Sequence, residues 1–287
     1  MKPSASLPWA PHVFEQSPIF MPLLPAAQRI RQSDNWPTRE QLATLLAESA
    51  IVSGGDKPVR PAAPLSSTDS ISLDYETRCY LTGELETREE NWHDLFNALV
   101  WLTFPRAKAK INARHYHALQ GSSDSNKRGP ERDALTLFDE CGVIVASDDA
   151  SLLDLLRGFS WKELFWSRRH DLLTHMRVYL FGHGLYEQAL QPYIGLTGKA
   201  VLLSVESSFL ELPLERQLAS LDDELAALIA NAEKFKRTSD LSPLPILGVP
   251  GWIEGNGEES FYDNTAYFRP GRRKGCMGDV TSSEDRD

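Results

Sequence analysis

Trp92, Leu95, Phe96, Leu99 and Leu102 recur every three or four residues, and Pro105 closes the run. That spacing predicts a helix with one wide apolar face, which has to be buried against other elements. Thr87 stands three residues before Glu90, which predicts a capping box ahead of the helix. Proline lacks the amide hydrogen a helix interior needs, so Pro105 should stop or kink the helix, with a second helix over about 106–119. A chain of 287 residues is long enough to build a core around such a face. The longest strongly apolar run, about 98–104, falls short of the roughly 20 residues that span a bilayer. No membrane insertion is expected.

The rest of the chain reads as mixed elements around that helix. Residues 1–30 carry six prolines among isolated apolar residues such as Trp9, Phe14, Ile19 and Phe20, which suggests an irregular arm lying over the core. Residues 37–46 read as a short helix and 53–70 as a Gly/Pro/Ser-rich loop. Residues 75–81 read as a strand, 121–132 as a surface loop, and 133–146 as a β-hairpin turning at Cys141-Gly142. Helical segments are expected over 152–190, a strand over 199–205, a helix over 214–229, and irregular chain over 239–252. Strands and helices do not alternate regularly, so the expected class is α+β. We expect a helix-rich single domain with a small, mainly antiparallel sheet that includes the hairpin at about 133–146. The divisions are a proline-rich arm and linker over 1–70, a main domain over 71–270, and a disordered tail over 271–287.

Composition narrows the function classes. Forty Asp and Glu against 30 Lys and Arg give a net charge of −10, which disfavours nucleic acid as a partner. The partner is an unidentified small molecule or protein. Cys79, Cys141 and Cys276 are an odd number without CxxC spacing, so a reducing cytoplasm is the expected compartment. Pro3, Pro8 and Pro11 break up any signal-peptide pattern after Lys2. The chain has no P-loop, no dinucleotide-binding glycine motif, no GxSxG elbow and no HExxH pair.

What remains is histidine and carboxylate on apolar faces. His183 and Glu187 are one helical turn apart, with Leu180 and Leu190 on the same side. Such a pair can bind a divalent cation or move a proton. His93 and Asn97 have the same spacing on the flank of the apolar stripe, with Asp94 pointing elsewhere. His115 could face the same core, whereas His117 points to solvent. Asp139 sits among Leu135 and Leu137, where an unpaired carboxylate is costly. The structural alternative is a buried hydrogen-bond network without chemistry.

Several longer segments carry a resemblance. They are residues 91–101 (NWHDLFNALVW) with Phe104-Pro105, residues 132–140 (RDALTLFDE), Phe181-Gly182-His183 with Glu187, residues 244–252 (LPILGVPGW), Phe261-Tyr262-Asp263 and Phe268-Arg269-Pro270. Over roughly 75–270 the chain resembles an uncharacterised bacterial family, DUF3025. The resemblance transfers no activity, but it places His93, Asp94, Asn97, Asp133, Asp139, Glu140, His183 and Glu187 inside family motifs. Gly184, Gln188, Asn264 and Lys199 depart from the family pattern.

Two functional readings follow. In the first the protein is a metal-dependent hydrolase or acid–base enzyme. His93, Asp139, His183 and Glu187 then serve as catalytic residues and ligands of a divalent metal, supported by Glu140 or Asp94. In the second it is a non-catalytic binding or scaffold protein whose His/Glu/Asp network is structural. The two differ in whether these four side chains converge on an open pocket.

Overall fold

The computed structural model describes residues 7–64, 74–120 and 129–271. Parts of the loops expected over 53–70 and 121–132, and all but the first residue of the expected tail, lie outside the described residues.

The arm forms two short helices, α1 (Val13–Gln16) and α2 (Leu24–Ala27), joined by a 3-10 turn over Pro18–Leu23. Phe14, Ile19, Phe20 and Leu23 are buried. Helix α3 (Arg39–Glu48) opens on a true capping box, in which Thr38 and Gln41 each satisfy the other's backbone amide. Strand β1 (Arg60–Ala62) falls in the stretch read as loop and pairs in parallel with β2 (Glu84–Glu86).

Between these strands the expected strand over 75–81 is instead helix α4 (Tyr75–Thr82). The caps explain the difference. The Asp74 carboxylate accepts from the amides of Glu76 and Thr77, and Gly83 ends the helix at a left-handed φ of 74°. Local capping outweighs the aromatic, strand-like composition of this short segment.

Helix α5 (Trp92–Thr103) forms as the apolar spacing requires, but Asn91 caps it, accepting from the Asp94 amide. The expected Thr87/Glu90 box does not form. Glu90 has a left-handed φ of 52°, and the Thr87 hydroxyl donates to the Leu85 carbonyl instead. Pro105 separates α5 from α6 (Pro105–Gln120). The first amides of α6, on Arg106 and Ala107, donate to the Asp222 carboxylate of α12 (Leu214–Ala230). One long helix thus caps another.

The expected hairpin over 133–146 is wrong in its first half. Residues 130–141 form helix α7 (Pro130–Cys141), and only β3 (Gly142–Ser147) is a strand. The buried side chains are Ala134, Leu135, Phe138 and Asp139, a helical period and not an alternating one. Pro130 near the N-terminus, with Glu131 and Asp133 in the first turn, suits a helix start.

Beyond β3 lie α8 (Ala150–Arg157), α9 (Arg169–His175), β4 (Met176–Leu180), α10 (His183–Ala189), β5 (Thr197–Ser204), α11 (Ser207–Leu210) and β6 (Ser242–Pro245). The helical reading of 152–190 misses β4. The main sheet has the order β4-β3-β5-β6. Its central pairing, β3 with β5, is parallel, and both edge pairings are antiparallel. The fold is α+β with a small mixed sheet. Every residue of β3 is buried. One apolar cluster joins the arm, α5, α7, the sheet and α12.

Candidate metal centre

Three helices meet at one point in front of the sheet. His93 lies in the first turn of α5, Asp139 and Glu140 end α7, and His183 opens α10. The chain reaches α10 straight from β4, through Phe181 and Gly182, whose amides both donate to the Gly142 carbonyl. This crossing packs the start of α10 against the end of α7. A Cβ on Gly182 would overlap the backbone of Glu140, Cys141 and Gly142, and one on Gly184 would overlap the Glu140 carboxylate. Small residues are therefore required where the helices touch.

The two imidazoles stand edge to face, 4.5 Å apart. His93 Nδ1 is 3.0 Å from Glu187 Oε2, leaving Nε2 directed toward Glu140 Oε1 at 4.0 Å. His183 is arranged similarly but not identically: Nε2 is 3.6 Å from Glu140 Oε1, whereas Nδ1 faces Asp139 Oδ2 at 3.8 Å and is buried without a hydrogen-bond partner. Each ring thus has one carboxylate behind it and shares Glu140 in front. One donor atom from each of His93, Glu140 and His183 lies within 4.8 Å of the other two.

Burial and charge set the protonation states. His183 is buried, and desolvation pulls its pKa down to about 3, so its ring is neutral. The hydrogen bond to Glu187 raises His93. Burial pushes Glu140 up, partly offset by His93. Burial would also raise Asp139, but the charge and hydrogen bond of Lys108, together with His183 and His115, outweigh it and hold the carboxyl below its usual range. Lys108 Nζ donates to Asp139 Oδ1 at 2.5 Å, and both residues are buried. Removing one member of such a pair leaves a buried charge, typically at a cost of about 3–5 kcal/mol.

The structure brings His93, Asp139, His183 and Glu187 to one place, although Glu187 reaches it only through His93. Glu140, expected only in support, is the shared carboxylate. Asp94 instead holds the Arg88 guanidinium through both oxygens. Sequence reasoning missed Lys108, Asn112 and Glu76. The signal was present on α6: Lys108, Asn112 and His115 follow helical spacing and are all buried. The Asn112 amide donates to Glu76 Oε2 at 2.8 Å, and the Asn97 amide to the Tyr75 hydroxyl at 2.8 Å. Tyr75, Glu76 and Asn97 border a cavity of about 430 Å³ that is also lined by His93, Glu140 and His183. That volume lies in the range of small-molecule sites. Among the described residues no helix is long and apolar enough to cross a membrane.

The family model for DUF3025, a protein of unknown function, matches residues 65–272. No curated protein and no solved structure matches the chain. The chain belongs to the DUF3025 family.

Proposed function

We propose that this DUF3025 protein is a metal-dependent hydrolase or acid–base enzyme whose divalent cation is held by His93, Glu140 and His183. One observation carries the reading. Both imidazoles turn Nε2 toward a single carboxylate while another carboxylate stands behind each Nδ1. Glu187, hydrogen-bonded to His93 Nδ1, would fix that ring's tautomer and strengthen it as a ligand, and Asp139 stands 3.8 Å from His183 Nδ1. Two histidines and one glutamate form a donor set used by catalytic zinc, and a two-His-one-carboxylate set also suits iron(II). A cation held by these three residues would have room for a water or substrate oxygen on the cavity side. A cation there would polarise a substrate oxygen and bring a bound water to a pKa of about 7. Glu187 and Asp139 then act as positioning residues behind the rings.

The alternative is a non-catalytic binding or scaffold protein with a structural network, and it draws on the buried Lys108–Asp139 pair. The open cavity above the three donors favours the enzyme. A cytoplasmic setting, with Cys79 and Cys141 as free thiols, fits the same reading.

Elemental analysis followed by zinc titration tests it. The parent protein should bind about one equivalent. Glu140→Gln and His183→Ala should weaken zinc by at least roughly tenfold, as loss of a ligand does, with little change in the melting temperature of the metal-free protein. A parent that binds no zinc, manganese or iron, together with a large drop in melting temperature for His183→Ala, favours the structural network.

A further inference from the structure

The cavity in front of the three donors contains a cation that no carboxylate among the described residues neutralises. Arg132 lines it from the first turns of α7, and Nε of Arg132 is out of solvent without an acceptor. Arg31, Arg39 and Arg78 also have a buried nitrogen without an acceptor, but each is ion-paired through another, to Glu15, Glu89 and Glu84. Arg88, the other arginine of the cavity, is taken up by Asp94. Among the described residues no carboxylate pairs with Arg132. A buried donor left unmatched is destabilising, and an arginine fork is shaped for the two oxygens of a carboxylate or phosphate.

The acidic groups around it do not supply the missing partner. Asp139 is held by Lys108 and Asp94 by Arg88, Glu86 lies 4.0 Å from Arg78, and Glu140 faces the two imidazoles. Glu76 accepts from Asn112, and Asp74 is occupied by the amides that open α4. Among the described residues of a chain with a net charge of −10, one guanidinium is thus left without a carboxylate inside the candidate site.

The position is also directional. Arg132, Thr136, Asp139 and Glu140 all border the cavity from α7, at one-turn steps along a single face. Eight residues separate Arg132 from Glu140, about 12 Å of helix axis. An oxyanion on Arg132 would therefore belong to a substrate whose reacting bond lies several atoms away, beside the two imidazoles.

We propose that Arg132 is the substrate anchor of this site and that the substrate is a small molecule bearing a carboxylate or phosphate. This rests on the metal-enzyme reading, but anion binding at Arg132 needs no metal. The test titrates the full chain, metal-free and zinc-loaded, with inorganic phosphate and with malonate by calorimetry. One or both anions should bind at a single site in both forms. Arg132→Gln should weaken that binding at least roughly tenfold, and Arg132→Lys should weaken it less, since charge survives while the fork is lost. Zinc stoichiometry and the melting curve should match the parent in both variants. Which anion binds distinguishes carboxylate from phosphate substrates. Equal affinity in the parent and Arg132→Gln, or no binding of either anion at tens of millimolar, overturns the anchor. If zinc fails to bind while anion binding still depends on Arg132, the metal reading falls and the anchor stands.

Discussion

Glu76 links the site to pH. Burial raises its carboxyl from 4.5 to about 7, and Asp139 on α7 and Asp74 beside it push the same way. Asn112 and Lys108 on α6 oppose the shift. Tyr75 and Cys79 on its own helix complete the surroundings and stay protonated, both raised chiefly by burial. Between about pH 4.5 and 7 the folded chain keeps a proton that the unfolded chain has lost, so stability declines as pH rises through that window. Glu76→Gln preserves the acceptor for Asn112 and removes the titration. In urea unfolding the variant and parent should agree near pH 4, and the variant should become progressively the more stable up to about pH 7 and keep that lead above it. Curves that stay parallel would assign the pH dependence elsewhere.

At the scale of elements the junction of α7, β3 and α10 decides whether the donors meet. Gly184→Ala would press hardest on the movable Glu140 carboxylate, with the Glu140 carbonyl at 3.2 Å, whereas Gly182→Ala would press within 2.5 Å on backbone from three residues. The first should lower zinc affinity at least roughly tenfold with a small change in the urea midpoint. The second should destabilise the fold by about 3 kcal/mol or more, since packed backbone cannot give way. Equal effects of the two on stability would contradict this division.

That junction was also the least legible part of the sequence. Leu135, Leu137 and Asp139 alternate well enough to read as a strand, and Leu135 with Phe138 and Asp139 reads equally well as a helix. Only the apolar partners of α7 settle which face is buried. Helices α5 and α12 were legible because their stripes run for three turns or more. Short α4 was not, because its ends fix it more than its pattern does. The His183–Glu187 spacing could be read along one helix. The sharing of Glu140 between two rings could not, because it depends on how three helices cross.

At the scale of the molecule the arm completes the core. It lies outside the residues matched by the family model, yet Phe20 stacks on Phe96 of α5 and Tyr186 of α10, at 5.9 and 6.0 Å. These are the helices that carry His93, His183 and Glu187. Burying Phe14, Ile19, Phe20 and Leu23 contributes about 1.5–3 kcal/mol each. Their sum is comparable to the roughly 5–15 kcal/mol that keeps a typical domain folded. A chain beginning at residue 37 should therefore lose its cooperative unfolding transition. An unchanged urea midpoint would show that the remaining chain forms a sufficient core alone.

The arm also has an optical consequence. It brings the Trp9 indole to 5.1 Å from Trp92 and 5.2 Å from Trp36, and Trp36 itself lies 5.0 Å from Trp92. Indoles this close share their electronic excitations, so the triad should give a strong near-ultraviolet circular dichroism couplet that single tryptophans do not. Trp92 is the residue next to His93. Light absorbed by the seam between arm and helix thus reports on the ground one residue from the candidate metal, with no label attached.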